Sequence, residues 1–203
     1  MPAGRFITLE GGEGSGKSTQ ARLLAEALRA QGSDVVLTRE PGGTSGAEAI
    51  RGLLVTGAAD RWTPWGEALL MTAARVDHTA RVIRPALDRG ATVICDRYID
   101  STRAYQGGGR GLPDAALIRL HDEAVGLWPD ITLVLLLDEA EGLNRAAARG
   151  GAEARFESIG AGFHARVQAF FAGLPAADPA RCRAIDAGGD LDAVTARIRA
   201  TLA

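Results

Sequence analysis

The chain has 203 residues, 46% of them hydrophobic, with 23 basic and 25 acidic side chains and a net charge of −2. Those proportions exclude a disordered tail or a collagen-like rod, give no reason to expect a large nucleic-acid surface, and suit one domain better than two large ones. The longest apolar run, Ile131–Leu137, is strand-sized and far short of the roughly 20 residues that span a bilayer. A polar, Gly-rich stretch arrives within ten residues of the N-terminus, unlike a secretory leader, so a cytoplasmic protein away from membranes is expected. Cys95 and Cys182 sit in apolar, strand-like contexts and read as buried hydrophobes in a reducing compartment.

In chain order, Arg5–Glu10 reads as a short buried strand built on Phe6, Ile7 and Leu9. A helix begins near Lys17, with Leu23, Leu24, Ala27 and Leu28 on one face and Gly32 as its stop. Val35–Thr38 is a second strand and Ala47–Val55 a short helix. Trp65–Arg89 is a long helix whose apolar residues 65, 69, 73, 76, 80, 83 and 87 step by four or three. Pro85 is expected to kink or shorten its last turn. Ala91–Cys95, Ile131–Leu137 and Cys182–Ile185 are three more strands. Asp114–Leu127, Glu139–Arg149, Arg155–Phe171 and Leu191–Leu202 are the helices between and after them. Five strands alternating with helices predict a single α/β domain over residues 1–203, a three-layer fold with a parallel sheet covered on both faces. Ligands in such sheets bind outside the carboxyl ends of the strands.

The first strand ends in Gly11-Gly12-Glu13-Gly14-Ser15-Gly16-Lys17-Ser18, which fits the phosphate-binding loop G-x-x-x-x-G-K-[ST] at residues 11–18. Such a loop wraps a phosphate closely enough for its N–H groups to point inward, which side chains would obstruct. The following helix aims its positive end at the same anion. Lys17 suits the outer phosphates of ATP, and the Ser18 hydroxyl suits Mg²⁺. Lys17 is also the only lysine in the chain, which places it where arginine does not substitute. That single lysine argues against the Asn-Lys-x-Asp guanine reader of GTPases, and Gly12 stands where partitioning ATPases carry an extra lysine.

Further strings extend the pattern: Leu9-Glu10-Gly11, Arg39-Glu40-Pro41-Gly42-Gly43-Thr44, Ala73-Ala74-Arg75-Val76, Asp96-Arg97-Tyr98, Ser101-Thr102, and Ala104-Tyr105-Gln106-Gly107-Gly108-Gly109-Arg110-Gly111. With these, the chain resembles the bacterial thymidylate kinases over essentially its whole length. The resemblance implies a P-loop nucleoside monophosphate kinase that phosphorylates dTMP to dTDP with ATP and Mg²⁺, usually as a homodimer. It implies that the loop, Gly11 to Ser18 with Thr19, binds ATP, and that Ser18 and Asp96 serve the metal. It further implies that Arg97 and Arg51 meet phosphate, and that Met71 and Arg75 hold the base from one helix face. Ser101, Tyr105 and Gln106 then line the nucleoside pocket. Met71 stands where the family usually has Phe. Glu13, an acid inside the loop, is given a role at the sugar 3′-hydroxyl or near the metal. Some family members carry a catalytic arginine at the position of Gly14, so the charge here falls to a lid over about 142–157. Arg145, Arg149 and Arg155 are its candidates, with Arg149 favoured beside a Gly150-Gly151 hinge. His78, His121 and His164 show no metal spacing, and Trp62, Trp65 and Trp128 read as core or interface residues. The alternatives are a UMP- or CMP-type kinase and, from another class, a P-loop ATPase switch without an acceptor pocket.

Overall fold

The computed structural model describes residues 4–138, 141, 142, 145, 155, 156 and 159–202. Five strands form one parallel sheet: β1 (Arg5–Gly11), β2 (Val35–Arg39), β3 (Thr92–Asp96), β4 (Ile131–Leu136) and β5 (Cys182–Asp186), in the order β2-β3-β1-β4-β5. Every pairing is parallel, with Leu9 opposite Asp96 on one side and Leu133 on the other. That register brings the ends of β1 and β3, hence the Gly-rich loop and Asp96-Arg97, to one edge.

Alternation along β1 sends Ile7 and Leu9 to one face and Phe6 to the other. The first face is covered by α1 (Lys17–Ala30) through Ala21, Leu24 and Ala25, and by α8 (Leu191–Leu202) through Val194 and Ile198. The second carries Ile83 and Ala86, the turn α5 (Ile99–Thr102) through Ile99, and α7 (Ala161–Ala177) through Phe163, Val167, Phe171 and Leu174. The helix α7 starts six residues later than expected from Arg155 and runs past Phe171 through Pro175. Its buried stripe continues to Leu174, so packing extends it. The expected helix Glu139–Arg149 and most of the lid fall outside the described residues.

The long helix is continuous from Pro64 to Asp88 but has three parts: α3 (Pro64–His78), a wider π-helical stretch Thr79–Ile83, and α4 (Arg84–Asp88). The Arg84 N–H reaches back five residues to the Thr79 carbonyl. The widened turn admits the Pro85 ring, so the proline neither breaks nor stops the helix. A second π-helical stretch, Arg103–Gly109, follows α5. The remaining helices are α2 (Ser45–Val55), capped by the Thr44 hydroxyl, and α6 (Asp114–Ala124). Both cysteines are buried and unpaired, and among the described residues no helix is long and apolar enough to cross a membrane.

Candidate active site

The loop between β1 and α1 folds around its own backbone. Ser15 Oγ donates to the Gly12 carbonyl at 2.9 Å, and Lys17 Nζ donates to the same carbonyl at 2.7 Å and to Ser15 Oγ at 3.2 Å. Gly14 has φ 69°, and a Cβ there would overlap the Gly142 carbonyl, so the position is closed to side chains twice over. The first turn of α1, including Thr19, follows the loop directly and has no side-chain cap at Gly16, so its first N–H groups are those a helix leaves without an internal partner. Burial, then the charge of Arg97, lowers the Lys17 pKa to about 8, although Glu13, Asp96 and Glu10 pull it upward.

Asp96 ends β3 directly beside this cradle. Ser18 Oγ donates to Asp96 Oδ2 at 2.5 Å, while Asp96 Oδ1 is buried with no hydrogen-bond partner. Arg97 follows at φ 69°, the one non-glycine residue with positive φ among the described residues. From there its guanidinium reaches the Gly11 carbonyl at 3.2 Å, Ser101 Oγ at 3.0 Å, Glu13 Oε1 at 3.0 Å and the Tyr105 hydroxyl at 3.1 Å. Tyr105 also donates to Glu13 Oε1 at 2.7 Å. The acid inside the loop is therefore balanced by two donors from the opposite wall, which explains how a carboxylate is tolerated beside a phosphate cradle. Ser101 is fixed in turn by Glu10, whose carboxylate accepts from its hydroxyl at 2.6 Å and from the Tyr98 N–H at 2.7 Å.

A cavity of about 440 Å³ opens between the loop and α3, within the range of small-molecule sites. Met71 and Arg75 line it one helical turn apart. Arg75 is buried. Its Nε donates to Glu40 Oε2 at 2.7 Å and its Nη2 to Thr102 Oγ1 at 3.0 Å and the Tyr98 carbonyl at 3.2 Å, while Nη1 has no partner. Gln106 lines the same cavity. Its Nε2 donates to Glu67 Oε1 at 2.8 Å and its Oε1 has no partner. Arg51 lines the cavity from α2, its Nη1 held by the Pro41 carbonyl at 2.8 Å. Met71 belongs to none of the three core clusters and takes the cavity position.

The lid arginines fare differently. Arg155 is buried. Its Nε, Nη1 and Nη2 donate to the carbonyls of Ala58, Leu54 and Ala59 at 3.0, 3.0 and 3.1 Å, and Nη2 meets Glu67 Oε2 at 2.6 Å. It ties down the end of α2, held among protein acceptors rather than in the cavity lining, where the sequence led us to expect a lid cation. Four acceptors around one planar fork account for that placement. Arg145 is exposed, paired with Glu141 at 2.5 Å, and does not line the cavity either. Arg149 lies outside the described residues.

Sequence reasoning singled out Arg39 and Glu40 only as part of a family string, without a site role, and missed Phe156, which also lines the cavity, and Glu67, which stands behind it. Phe156 sets its edge on Tyr105 with ring centroids 5.7 Å apart. The signal for Glu67 was present: residues 67, 71 and 75 step by four along one face of α3.

The sequence model of the family described as Thymidylate kinase matches residues 9–198. The chain is 58% identical to the thymidylate kinase of Caulobacter vibrioides over 98% of its own length and 95% of the relative's. It is 56% identical to that of Rhizorhabdus wittichii over 100% and 98%. Among solved structures, the crystal structure of thymidylate kinase from Ehrlichia chaffeensis superposes with a TM-score of 0.80 at 35% identity, covering all of both chains. A Gly-rich loop of the phosphate-binding pattern, an arginine at positive φ on the next strand end and a cavity beside them thus accompany sequence kinship over the whole fold, and the chain belongs to the thymidylate kinase family.

Proposed function

We infer that the protein transfers the γ-phosphoryl group of ATP to the 5′-phosphate of dTMP, giving dTDP and ADP, the dTMP kinase step of nucleotide biosynthesis that family membership carries. The observation that supports the residue roles best is the acceptor cavity beside the loop, with an unpartnered donor, Arg75 Nη1, and an unpartnered acceptor, Gln106 Oε1. A P-loop switch needs no such cavity.

Gly11 to Thr19 hold the ATP phosphates through backbone N–H groups, and Lys17 exchanges the Gly12 carbonyl for the outer phosphates. Arg97 and Arg51 take the acceptor phosphate. Tyr105 and Glu13 face the sugar, and Met71 lies under the base. Ser18 Oγ and Asp96 are hard oxygen donors, and the buried, unpartnered Asp96 Oδ1 fits a Mg²⁺ site completed by phosphates and water. The metal, when bound, neutralises phosphate charge. Arg149 remains the proposed lid cation. Positioning and charge neutralisation then carry the reaction, since phosphoryl transfer asks little covalent chemistry of the protein.

A homodimer is part of this reading. Trp65, Leu69 and Val76 are 43%, 53% and 39% exposed, and with Ala73 and with Ala80 in the π-helical stretch that follows they form an apolar stripe on the outer face of α3 and its continuation. The same stripe on a second copy is self-complementary about a two-fold axis. Light scattering should give twice the chain mass, and Leu69→Glu should halve it. A monomeric wild type would contradict the dimer. For the reaction, a coupled assay across nucleoside monophosphates should show dTMP as the preferred acceptor; equal turnover of UMP or CMP would favour the other kinase type.

A further inference from the structure

Glu67 lies one turn before Met71 on α3, and its side chain is completely buried. Its Oε2 is held by Arg155 Nη2 at 2.6 Å and Arg110 Nη2 at 3.2 Å, and its Oε1 by Gln106 Nε2 at 2.8 Å. Carbonyls at the end of α2 and in the loop after it fix Arg155, and the Ala59 carbonyl also takes Arg110 Nη2 at 2.8 Å. The carboxylate is thus clamped from two sides.

A carboxylate between two guanidinium groups accepts hydrogen bonds and does not donate them. The Gln106 amide must therefore turn its NH₂ toward Glu67. Its carbonyl is left on the other side, without a protein partner, in a side chain that lines the acceptor cavity. Arg75 Nη1 is the unpartnered donor of the same cavity. An acceptor and a donor match the N3–H and O4 of thymine. Cytosine offers the reverse, an acceptor at N3 and an amino donor at C4. A Gln106 amide free to rotate would present NH₂ to N3 of cytosine as readily as its carbonyl to N3–H of thymine.

We propose that Glu67 is a positioning residue for base selection: it locks the Gln106 amide so that only a base carrying an N–H at position 3 is matched. The inference rests on the dTMP reading above, with the base between Arg75 and Gln106. Nothing in it requires Glu67 to touch substrate.

The test is steady-state kinetics with dTMP and dCMP at saturating ATP on three variants. Glu67→Gln must keep its carbonyl on Arg155 and Arg110 and put its NH₂ toward Gln106, so the Gln106 carbonyl turns to it and the Gln106 NH₂ turns to the cavity. The KM for dTMP should rise about tenfold with kcat within about twofold, and the dTMP-to-dCMP ratio of kcat/KM should fall about tenfold. The double variant Glu67→Gln/Gln106→Glu should restore the ratio, because a carboxylate at 106 again only accepts. An unchanged ratio in Glu67→Gln, even with a lowered Tm, would overturn the proposal and leave Glu67 a structural residue. Gln106→Leu separates the two readings: unchanged dTMP KM and ratio there would instead refute the base pocket. Should Glu67→Gln fail to fold, the wild type still decides. The Gln106 side-chain NH₂ protons should be protected from solvent exchange with and without dTMP, and rapid exchange in both states would overturn the lock.

Discussion

Asp100 and Ser101 are neighbours, yet they belong to two opposite kinds of polar cluster. Asp100 is completely buried and takes a bidentate Arg181, at 2.6 and 3.1 Å, together with Arg103 at 2.9 Å. Those arginines are completed by Thr132, Asp178 and Asp114. Ser101 faces the other way, into the Arg97–Glu13–Tyr105 cluster, where the wall of the cavity still carries unpartnered atoms on Arg75, Gln106 and Asp96. Both clusters are rich in Arg and carboxylate. The first is closed upon itself and serves the fold, tying α5 to β4 and the start of β5. The second is left incomplete where it lines a cavity, so a ligand can supply the missing partners; the buried unpartnered atoms of Arg110, His121 and His164 lie off that cavity and mark no site. Composition alone does not separate them; completeness of pairing does.

That contrast is sharpened first by the phosphate cradle. Lys17→Ala should cut kcat by about 10³-fold or more, about 4 kcal/mol of barrier, while the Tm barely moves, because Lys17 meets only its own loop in the absence of phosphates. Turnover within about tenfold of wild type would break the account of the loop. Asp100→Ala is the mirror experiment. Removing the shared carboxylate takes both bidentate bonds from the buried Arg181 and one partner from Arg103, leaving them only Asp178, Thr132 and Asp114, and chemical denaturation should show a loss of about 3–5 kcal/mol. The folded fraction should keep its KM for dTMP, and a raised KM with unchanged stability would reverse the two roles.

Met71→Phe has a smaller expected effect. Met71 lines the cavity, so a ring should be tolerated, with dTMP Kd unchanged or lowered. A fall in Tm with an unchanged Kd would place Met71 in the core, where overpacking costs about 1–3 kcal/mol.

The smallest effect is a fraction of a proton. With its pKa lowered to about 8, Lys17 is partly neutral in the free protein at pH 8–9. Phosphates restore its charge, so binding a non-hydrolysable ATP analogue there should take up about half a proton, read as a buffer-dependent calorimetric enthalpy. The sign for stability follows from the same displacement. Between about 8 and the ordinary 10.5 the unfolded chain binds more protons at this residue, so its contribution to stability rises with pH across that window. Uptake that persists in Lys17→Ala would assign the proton elsewhere.

Much of this was legible from residues in a row. The strand positions emerged to within a residue or two because buried parallel strands are short apolar runs, and the loop emerged because its glycines and lysine are contiguous. The outer face of α3 was visible as a 65-69-73-76 stripe, but periodicity cannot tell a stripe facing the core from one facing solvent. Here the buried face carries Glu67, Arg75 and His78, because it backs the site. The partners of Arg155 were hidden for a related reason. An arginine after two glycines looks like a mobile surface cation, and its acceptors at Leu54, Ala58 and Ala59 are nearly a hundred residues away. Glu40, which anchors both Arg75 and His78, was likewise hidden by distance along the chain.

The claim that incomplete pairing marks the acceptor site is tested most directly by a crystal structure of the full chain with dTMP bound. The account predicts the thymine against Met71, its O4 within hydrogen-bond distance of Arg75 Nη1 and its N3–H on Gln106 Oε1, while the Asp100 cluster keeps every partner it has now. A base seated elsewhere, with Arg75 Nη1 and Gln106 Oε1 still unpartnered, would contradict it.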